Sequence, residues 1–468
     1  MLLARPPRRD ASDRGLSVPP LGLAYLAGTL QAAGRPVTIL DAYALGWSWR
    51  RFEAEIARRK PDVLGLTAMT PVSDVAYRAA RLARPHAGRI VLGGPHPTAV
   101  EHGALDDCEA LDHAVAGEGE RAVLAYLDWV EGGETGPPPA GVIARGHALT
   151  PSETIEDLDG MAWPERRLLP NRRYRYLMAT RPGFATMITS RGCPFRCSFC
   201  DKSVSGSGWR SRSPKSVVDE MEHLVRDLGV GFINFYDDNF TLHRRRVHGI
   251  CEEILRRGLD VEWKCEARVD GVTEEMLQLM RRAGCRVVAF GVESGNPETL
   301  KLLRKDVTVD KVQRAFALTR EAGLRSLAYI ILGAPGEGSE DVRRTLDFVR
   351  AIDADYVQFS TLTAFPGTPL FEDWGGRATS GVMSPVDSDA DRITVTDLPP
   401  EELAALLRQA WRGFYLRPRP MVRLARDAWA SRSLVEAARM GAGMARWMAS
   451  NPTAPPRPGA GSVAIAPG

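Results

Sequence analysis

The segment Ser190-Arg-Gly-Cys193-Pro-Phe-Arg-Cys197-Ser-Phe-Cys200 carries three cysteines in the pattern C-x3-C-x2-C. It directly follows an apolar run, Ala185–Thr189, that reads as a β-strand. A loop with this spacing can bring three thiolates onto three irons of a cubane cluster, whose full ligation needs four cysteines. The missing fourth ligand leaves one iron open. A zinc loop is the alternative, but zinc needs a fourth Cys or His at a fitting spacing, and none is nearby.

Strand-like and helical patterns alternate on both sides of this segment up to about residue 362. Helical patterns such as Val217–Leu228 and Glu274–Ala283 separate the apolar runs. Six strand–helix units in about 180 residues predict a partial (β/α)6 barrel, because a full eight-fold barrel takes about 250 residues. The predicted strands are Ala185–Thr189, Gly231–Tyr236, Val261–Cys265, Val287–Gly291, Ser326–Leu332 and Tyr356–Leu362.

The first 130 residues show a second alternation of the same kind. Helical patterns near Trp49–Arg59 and Asp74–Ala83 separate short apolar runs. This order predicts an N-terminal doubly wound, Rossmann-like α/β domain with a parallel sheet, whose ligand lies over the carboxyl ends of the strands. The predicted strands are Met1–Ala4, Val37–Leu40, Val63–Thr67, Ile90–Leu92 and His113–Ala116.

The domain boundaries follow from these patterns and from composition. After about Leu398 the sequence is helical, over Pro400–Tyr415 and Met421–Met448. The last stretch is rich in proline, glycine and alanine, which predicts disorder. We therefore predict a doubly wound domain over 1–136, a linker over 137–182, a barrel over 183–390, a helical C-terminal region over 391–450 and a disordered tail over 451–468.

The bulk composition excludes several classes of protein. The 468 residues are 44% hydrophobic and 25% charged, with a net charge of +3, so nothing indicates nucleic acid as a partner. No apolar run is long enough to span a membrane, and the N-terminus has no signal-peptide layout. The seven cysteines do not form a secreted disulfide framework. We therefore expect the protein in a reducing cytoplasm.

Further motifs stand at the ends of the predicted barrel strands, where barrel active sites are built. With the cysteine segment, they make the sequence resemble the radical S-adenosylmethionine (SAM) superfamily. The resemblance implies that the open iron of a 4Fe-4S cluster binds SAM, and that an electron from an external flavodoxin- or ferredoxin-type donor cleaves it to a 5′-deoxyadenosyl radical. The motifs are Phe235-Tyr-Asp-Asp-Asn-Phe240, Trp263-Lys-Cys-Glu266-Ala-Arg268, Gly291-Val-Glu293-Ser-Gly295, Leu332-Gly-Ala-Pro-Gly336 and Phe365-Pro-Gly-Thr-Pro369.

The resemblance also implies roles for three residues near the cluster. Phe199 matches the aromatic position that approaches the adenine of SAM. Glu293 matches a position that contacts its methionine part, and Arg304 one that can pair with its carboxylate. A plain surface charge on a helix is the alternative for Arg304. No catalytic acid or base is assigned.

The N-terminal region resembles the cobalamin-binding domain that precedes the barrel in one large branch of this superfamily. Glycines at strand ends allow a backbone to approach a ligand closely, and the resemblance implies that corrin and nucleotide tail lie there. An ordinary Rossmann-like domain without cobalamin is the alternative. The implied cobalamin-binding residues are Asp41, Thr67, Gly93, Gly94, His96, Gly117 and Glu118.

One departure concerns the lower face of the cobalt. Many cobalamin domains use Asp-x-His-x-x-Gly, whereas this sequence has Asp41-Ala-Tyr43-Ala-Leu-Gly46. The resemblance then implies cobalt without a histidine below, with the Ala68–Pro71 loop under the corrin. His96 stands between two prolines, and a structural role suits it better than ligation.

The leading functional interpretation is a cobalamin-dependent radical SAM methyltransferase that acts on a small molecule. An oxidative cyclase or rearrangement enzyme for a tetrapyrrole, lipid or natural product uses the same motifs and stays open. RNA-methylthiolating members of the superfamily carry three further cysteines in an N-terminal domain, whereas this N-terminal region has only Cys108, so that function is disfavoured. The intact cysteine triad disfavours a non-catalytic sensor or cluster carrier. The C-terminal stretch Arg417–Arg426, with Trp429 and Trp447, is compatible with a membrane surface as well as with ordinary packing.

Overall fold

A computed structural model of the protein contains two six-stranded sheets, one in each half of the chain. The structure describes residues 1–9, 17–374, 379–380 and 393–449. The predicted tail over 451–468 lies outside the described residues. Among the described residues, no helix has both the length and the apolar character of a membrane span.

The N-terminal domain alternates strands and helices as predicted. Its strands are β1 (Leu2–Arg5), β2 (Thr38–Asp41), β3 (Val63–Thr67), β4 (Arg89–Gly93), β5 (His113–Val115) and β6 (Val142–Ala144). Its helices are α1 (Leu21–Ala32), α2 (Ala42–Leu45), α3 (Trp49–Arg59), α4 (Ser73–Ala83), α5 (Pro95–Val100), α6 (Gly103–Asp106) and α7 (Gly119–Glu131), with a 3-10 turn over Thr70–Val72.

The first sheet has the strand order β2-β1-β3-β4-β5-β6. The first five strands are parallel, and β6 pairs antiparallel with β5. This sixth strand comes from residues 142–144, inside the segment that the sequence assigns to a linker. Because β1 to β5 are parallel, their carboxyl ends form one edge of the sheet. The strand order changes direction between β1 and β3, and in such folds a ligand binds at that edge beside this point.

The second half of the chain contains the predicted barrel. Its strands are β7 (Phe184–Met187), β8 (Ser190–Arg191), β9 (Arg210–Ser211), β10 (Phe232–Phe235), β11 (Glu262–Ala267), β12 (Cys285–Glu293), β13 (Arg325–Leu332) and β14 (Tyr356–Thr361), followed by the short pair β15 (Thr379–Ser380) and β16 (Ile393–Thr394). Its helices are α8 (Pro214–Leu228), α9 (Arg244–Arg256), α10 (Glu274–Arg282), α11 (Pro297–Leu302), α12 (Val309–Glu321), α13 (Ser339–Ala351) and α14 (Pro369–Trp374), with 3-10 turns over Arg166–Leu168, Asn171–Arg173 and Val269–Gly271.

The barrel sheet is entirely parallel in the order β14-β13-β12-β11-β10-β7, with β7 and β14 as its edges. Its helices pack on the outer face, and α8 shows why they form. Ser213 caps the helix by accepting a hydrogen bond from Ser216 N–H, and Gly229 ends it in the left-handed region at φ 67°. Val217, Met221 and Leu224 are buried at helical spacing against the strands. The six predicted barrel strands are confirmed.

Three helices follow: α15 (Pro400–Tyr415), α16 (Pro418–Ala430) and α17 (Leu434–Ala449). The prediction of one helical stretch over Met421–Met448 is wrong in one respect, because the helix breaks at residues 431–433. Arg432 has a φ of 58°, and Ser433 N–H donates to Ala428 O at 2.8 Å. The Ser431 hydroxyl donates to Asp427 O at 2.8 Å, so a serine side chain takes up a backbone carbonyl at the end of α16.

Candidate functional site

The three cysteines lie in a loop that a two-stranded ribbon closes at its base. Strands β8 and β9 pair antiparallel, with Ser190 opposite Ser211 and Arg191 opposite Arg210. Gly192 has a φ of 82°, and a Cβ there would lie 2.2 Å from Gly208 O. Only glycine fits at this close approach of two backbone segments. The ribbon therefore fixes where Cys193 begins the loop.

A buried carboxylate at the end of β10 holds the entry to this loop. Asp237 accepts hydrogen bonds from Thr189 N–H at 2.6 Å, from the Thr189 hydroxyl at 2.5 Å and from the Ser190 hydroxyl at 2.6 Å. Three such bonds to one carboxylate are charge-assisted and stronger than neutral ones. The predicted motif at the end of the second barrel strand, Phe235–Phe240, thus orients the cysteine segment.

The cysteine loop is anchored on its far side by the segments after β12 and β14. Ser198 N–H donates to Leu303 O at 3.0 Å, and Leu370 N–H donates to Ser198 O at 2.8 Å. Phe199 packs into a small apolar cluster that includes Leu303 and Leu370. All three cysteines of the loop are free and only half-buried.

Burial and nearby cations act in opposite directions on the thiols. Burial raises the pKa of Cys197, while Lys305 and Arg268 oppose that shift. Burial raises the pKa of Cys200 to about 12, and the Asp238 carboxylate adds to the rise. A metal bound here must displace thiol protons, and the two cations favour the thiolate form.

The donor set fits a cubane cluster. Among the described residues, no three His, Cys, Asp or Glu side chains are placed to hold a single metal ion. A cubane cluster does not require three side chains to converge on one metal ion, because each cysteine binds a different iron. Cys193, Cys197 and Cys200 offer three sulfur donors from one loop, which leaves one iron for another ligand.

A buried ion pair stands beside the cysteine loop at the end of β12. Lys305 Nζ lies 2.6 Å from Glu293 Oε1, with 8% and 6% of the two side chains exposed. The ammonium also lies 5.8 Å from the centre of the Phe199 ring. A Cβ on Gly291 would lie 2.4 Å from the Glu293 carboxylate, so glycine makes room for the pair. Phe199 and Glu293, both candidates from the sequence, therefore meet around Lys305.

The structure places Arg304 elsewhere. Its guanidinium lies 3.2 Å from Asp373 Oδ2, and both side chains are about half exposed, at 53% and 51%. Positive φ values of 49° at Arg304 and 55° at Asp306 twist the backbone around Lys305. Of the two adjacent cations, the family resemblance pointed to Arg304, whereas Lys305 is the one that lies beside the cysteine loop. No periodicity predicts which side chain turns inward at such a twist.

The concave side of the barrel sheet, which we call the lumen, carries a polar group. Its members Lys264 and Glu266 lie in a predicted strand-end motif, but the sequence assigned them no role. Lys264 and Glu266 alternate with Trp263 and Cys265, which pack outward against the helices. Lys264 forms an ion pair with Glu266, and its Nζ lies 3.3 Å from Asn234 Oδ1. The Tyr329 hydroxyl donates to Glu266 Oε1 at 3.2 Å.

The lumen group presents mainly hydrogen-bond donors. Burial alone would lower the pKa of Lys264, but the Glu266 carboxylate together with Tyr329 and Tyr236 raises that pKa overall, so the ammonium stays charged. Burial raises the pKa of Tyr236 and of Tyr329, so both phenols stay protonated. Tyr236 still has 40% of its surface exposed, which shows that the lumen is open at this level.

The glycine turns of the first domain lie at the carboxyl ends of its strands. Gly94 has a φ of 103°, and a Cβ there would lie 2.8 Å from Ala68 O and 2.9 Å from Thr67 Oγ1. Gly117 has a φ of 77°, and its N–H donates to Thr98 Oγ1 at 3.0 Å. These turns hold Thr67, Gly93, Gly94 and Gly117 along one edge of the sheet.

The same edge offers an apolar surface that suits a flat macrocycle. Met69, in the loop after β3, is 57% exposed. Tyr43 lies at the same edge after β2 and is half-buried, with the guanidinium groups of Arg5 and Arg8 at 4.1 and 4.3 Å from its ring centre. An exposed apolar side chain at a ligand edge, such as Met69, favours binding of a large, partly apolar ring. The edge therefore fits a corrin.

Three residues proposed from the sequence as cobalamin contacts have partners within the protein. His96 is buried, with Nε2 2.7 Å from the Tyr77 hydroxyl and Nδ1 3.3 Å from Thr70 Oγ1, and burial lowers its pKa to about 4. Asp41 accepts from Ala44 N–H and from the Tyr174 hydroxyl, each at 2.9 Å. Glu118 pairs with two arginines of the barrel half. These contacts indicate structural roles.

The carboxyl ends of the two sheets face each other. The Tyr25 hydroxyl, on α1, donates to Ile188 O at 3.3 Å, just after β7. A Cβ on Gly367, in the turn after β14, would lie 3.3 Å from Ala99 Cβ on α5. The cysteine loop and the glycine turns thus border one interface between the two domains.

Known proteins match both halves of the chain. Residues 187–349 match the family model of the radical SAM superfamily, and residues 10–127 match that of the B12-binding domain. A protein of Pyrococcus horikoshii, named as an uncharacterized methyltransferase, is 32% identical over 446 residues, covering 90% of this chain and 94% of its own. The anaerobic magnesium-protoporphyrin IX monomethyl ester cyclase of Rubrivivax gelatinosus is 33% identical over 381 residues, covering 77% of this chain and 67% of its own.

The fold also matches a solved structure. The radical SAM methyltransferase TsrM from Kitasatospora setae, with its tryptophan substrate and a SAM analogue bound, aligns with a TM-score of 0.71 at 21% identity. The alignment covers 96% of this chain and 97% of that chain. The predictions of a B12-binding domain followed by a radical SAM barrel are confirmed.

The two adjacent cations provide a matched pair of stability tests. Lys305→Met leaves the buried Glu293 carboxylate unpaired, and we expect it to lower the free energy of unfolding by about 3 to 5 kcal/mol. Arg304→Met removes an exposed pair and should cost about 1 kcal/mol or less. Urea unfolding followed by tryptophan fluorescence measures both. The double variant Glu293→Gln, Lys305→Met should recover most of the loss, and equal losses in the two single variants would contradict this geometry.

Proposed function

We propose that this chain transfers a methyl group to a carbon of a small molecule. The premise is that it belongs to the radical SAM enzymes that carry a B12-binding domain. The relative from Pyrococcus horikoshii, 32% identical over 94% of its length, establishes the family. The chain is therefore an enzyme whose cofactors are a 4Fe-4S cluster, SAM and cobalamin. When bound, the cluster and SAM supply a radical that can remove hydrogen from carbon, and cobalamin supplies a methyl group.

The observation that carries the proposal is the meeting of the two carboxyl edges. The cysteine loop stands at the end of β7, and the glycine turns stand at the ends of β4 and β5. Tyr25 and Gly367 contact the opposite domain across the interface. The two cofactor sites therefore face each other across the interface, and we propose that both cofactors open onto one chamber between these edges, as proximity catalysis between them requires.

Residues of the barrel supply the SAM site in this proposal. Cys193, Cys197 and Cys200 hold the cluster, and Phe199 faces the adenine. Glu293 and Lys305 form a preorganised pair in which the carboxylate suits the amino group of SAM and the ammonium suits its carboxylate. Arg304 stands at the surface beside Asp373 and takes no part.

Residues of the first domain hold cobalamin in this proposal. Gly93, Gly94, Thr67 and Gly117 provide backbone close to the ligand, and Met69 lies against the corrin face. Asp41, His96 and Glu118 support the edge from behind through the partners described above. Tyr43 occupies the position of the lower-ligand histidine, so we propose that no imidazole binds the cobalt.

The barrel lumen receives the substrate in this proposal. Tyr236, Lys264 and Tyr329 present protonated donors, and Glu266 balances the one ammonium. Such a site orients a substrate through its carbonyl or carboxylate oxygens while the surrounding protein excludes water from the radical chemistry.

Oxidative cyclisation is the second candidate, and one observation favours it. The anaerobic cyclase of Rubrivivax gelatinosus is 33% identical over 67% of its own length. The same cysteine loop and glycine turns serve either reaction, because both begin with hydrogen abstraction. The reaction outcome, rather than the site, separates the two candidates.

Isotope labelling tests the reaction type. Candidate substrates are incubated anaerobically with the reduced, cobalamin-loaded protein and methyl-labelled SAM, and the products are analysed by mass spectrometry. We expect the label in the product, together with 5′-deoxyadenosine and S-adenosylhomocysteine. The triple variant of Cys193, Cys197 and Cys200 to Ala should form none of these. Product without label and without stoichiometric S-adenosylhomocysteine would overturn methyl transfer in favour of cyclisation or rearrangement.

The partners and the compartment follow from the same chemistry. Radical SAM chemistry consumes an electron, so we propose an external donor of the flavodoxin or ferredoxin type. Every cysteine of the chain is a free thiol. Free thiols together with a labile cluster support a reducing compartment, for which we propose the cytoplasm.

The surface of α16 and the start of α17 suits an anionic membrane. Trp429 is 74% exposed and Val422 is 67% exposed, on one face of α16. Met421, Leu434 and Val435 extend this apolar surface. The exposed charges beside it are basic, at Arg419, Arg426 and Arg432, while Glu436 in the first turn of α17 is half-buried and faces Arg175. Apolar and aromatic residues flanked by arginines are typical of helices that lie in a lipid headgroup region.

The charges of this surface favour lipid over a protein partner of mixed charge. Asp427, the acidic residue of α16, is turned inward, where both its oxygens accept from Arg325 Nη1 at 2.6 and 2.7 Å. Arg423 pairs with Asp355 at 2.6 Å at the base of β14. These contacts seat α16 on the amino ends of the strands, so the membrane-facing surface is opposite the cofactor chamber.

Flotation with vesicles tests this surface. The full chain should float with phosphatidylcholine vesicles that contain phosphatidylglycerol and not with phosphatidylcholine alone, and salt should weaken the binding. Arg419→Glu with Arg426→Glu, or Val422→Ser with Trp429→Ser, should abolish flotation. Arg58→Glu with Arg226→Glu, matched in charge change on distant helices, should not. Equal flotation of all variants, or salt-independent self-association, would contradict the proposal.

A further inference from the structure

Two arginines lie side by side at the base of the cysteine loop. Arg191 and Arg210 are direct partners across the β8–β9 ribbon, and their side chains are only 10% and 8% exposed. Like charges opposite each other destabilise a strand pair, and burial adds a desolvation cost for each. The ribbon that closes the cluster loop therefore needs carboxylates from another element.

The first domain supplies those carboxylates from a single turn. Glu118 Oε1 lies 2.9 Å from Arg191 Nη1, and Glu118 Oε2 lies 2.9 Å from Arg210 Nη1. Glu118 is 3% exposed and also accepts from Ile155 N–H at 2.7 Å. Glu120 forms a second ion pair with Arg191. Two carboxylates of one domain thus neutralise two guanidinium groups of the other.

The turn that carries these carboxylates belongs to the ligand edge of the first sheet. It follows β5, and α7 begins at Gly119. Gly117 N–H is bound to Thr98 Oγ1, and a Cβ on Gly117 would lie 1.9 Å from Ser152 Oγ. The turn therefore has little freedom of its own, so any shift that a ligand imposes on Gly117 is carried to Glu118.

The other end of the contact leads directly to a cluster ligand. Only Gly192 separates Arg191 from Cys193, and the space beside Gly192 is so narrow that an added Cβ would lie 2.2 Å from Gly208 O. A displacement of the Arg191 side chain from its carboxylates thus acts on the start of the cysteine loop. The path from the glycine turn to Cys193 consists of one buried carboxylate, one guanidinium and one closely packed glycine.

We propose that Glu118 is a positioning residue that couples the two cofactor sites, so that cobalamin and the 4Fe-4S cluster strengthen each other's binding. Cobalamin at the glycine turns holds Glu118 in place, and Glu118 then balances the paired arginines that shape the cluster loop. Because the coupling is thermodynamic, it acts equally in both directions. The inference rests on the proposed function, since it takes cobalamin as the ligand of that edge.

The affinity of hydroxocobalamin, with and without the cluster, tests this coupling. Full-length protein is compared anaerobically in its reconstituted form and after chelation of the iron, and binding is followed by absorbance. We expect at least about fivefold tighter binding with the cluster present, the lower end of typical coupling. Cobalamin should slow the loss of iron to a chelator in the same protein.

Glu118→Gln should bring the ratio of the two affinities to about one, whereas a purely structural role would weaken both affinities together. Arg191→Lys keeps the charge but loses the two-pronged contact, and it serves as a second test if Glu118→Gln fails to fold. Glu153→Gln, which removes an exposed carboxylate 3.1 Å from Arg121, is the control and should leave the ratio unchanged.

The outcomes separate the inference from the function on which it rests. A ratio of one in the unsubstituted protein, or an unchanged ratio in both Glu118→Gln and Arg191→Lys, overturns the coupling while leaving cobalamin binding intact. Failure of the unsubstituted protein to bind hydroxocobalamin in either state overturns both the coupling and the cobalamin part of the proposed function.

Discussion

A buried group of four charges joins the two halves of the molecule where their parallel sheets meet. Arg191 and Arg210 come from the ribbon below the cysteine loop, and Glu118 and Glu120 come from the turn after β5. Removing any one of them leaves an uncompensated buried charge, which is far more costly than losing a surface pair. The domains are thereby held with their ligand edges facing each other, and the proposed chemistry with two cofactors depends on that arrangement.

Burial governs the remaining chemistry of the site. The Glu293–Lys305 pair and Lys264 are almost inaccessible to water, whereas 19% of the Glu266 side chain is exposed, and each charge has a specific partner. Radical chemistry needs fixed surroundings, because mobile side chains offer competing hydrogen atoms and exclusion of water limits side reactions of reactive intermediates. The lumen stays open at Tyr236, on the side toward the first domain. The protein therefore contributes position and exclusion, while the cofactors contribute reactivity.

Local patterns in the sequence were enough to predict the two sheets, because period-two and period-3.6 spacing and strand-end glycines are local signals. The helix over Trp49–Arg59 and the strand over Val63–Thr67 have the predicted bounds. Pairings between distant segments were not predictable in this way. Glu118 meets Arg210 only because β8 and β9 pair, and Lys305 rather than Arg304 turns inward only because the backbone twists there. The break at Ser431 depends on serine contacts that helical periodicity does not register.

The central claim is that one chamber holds both the cluster and cobalamin. Pulsed electron paramagnetic resonance of the cob(II)alamin form tests this most directly, with the cluster first oxidised and then reduced. A reduced cluster in the same chamber must speed the spin relaxation of cob(II)alamin, and the triple variant of Cys193, Cys197 and Cys200 to Ala must abolish this effect. Relaxation that is the same with an oxidised cluster, a reduced cluster and the triple variant would contradict the account.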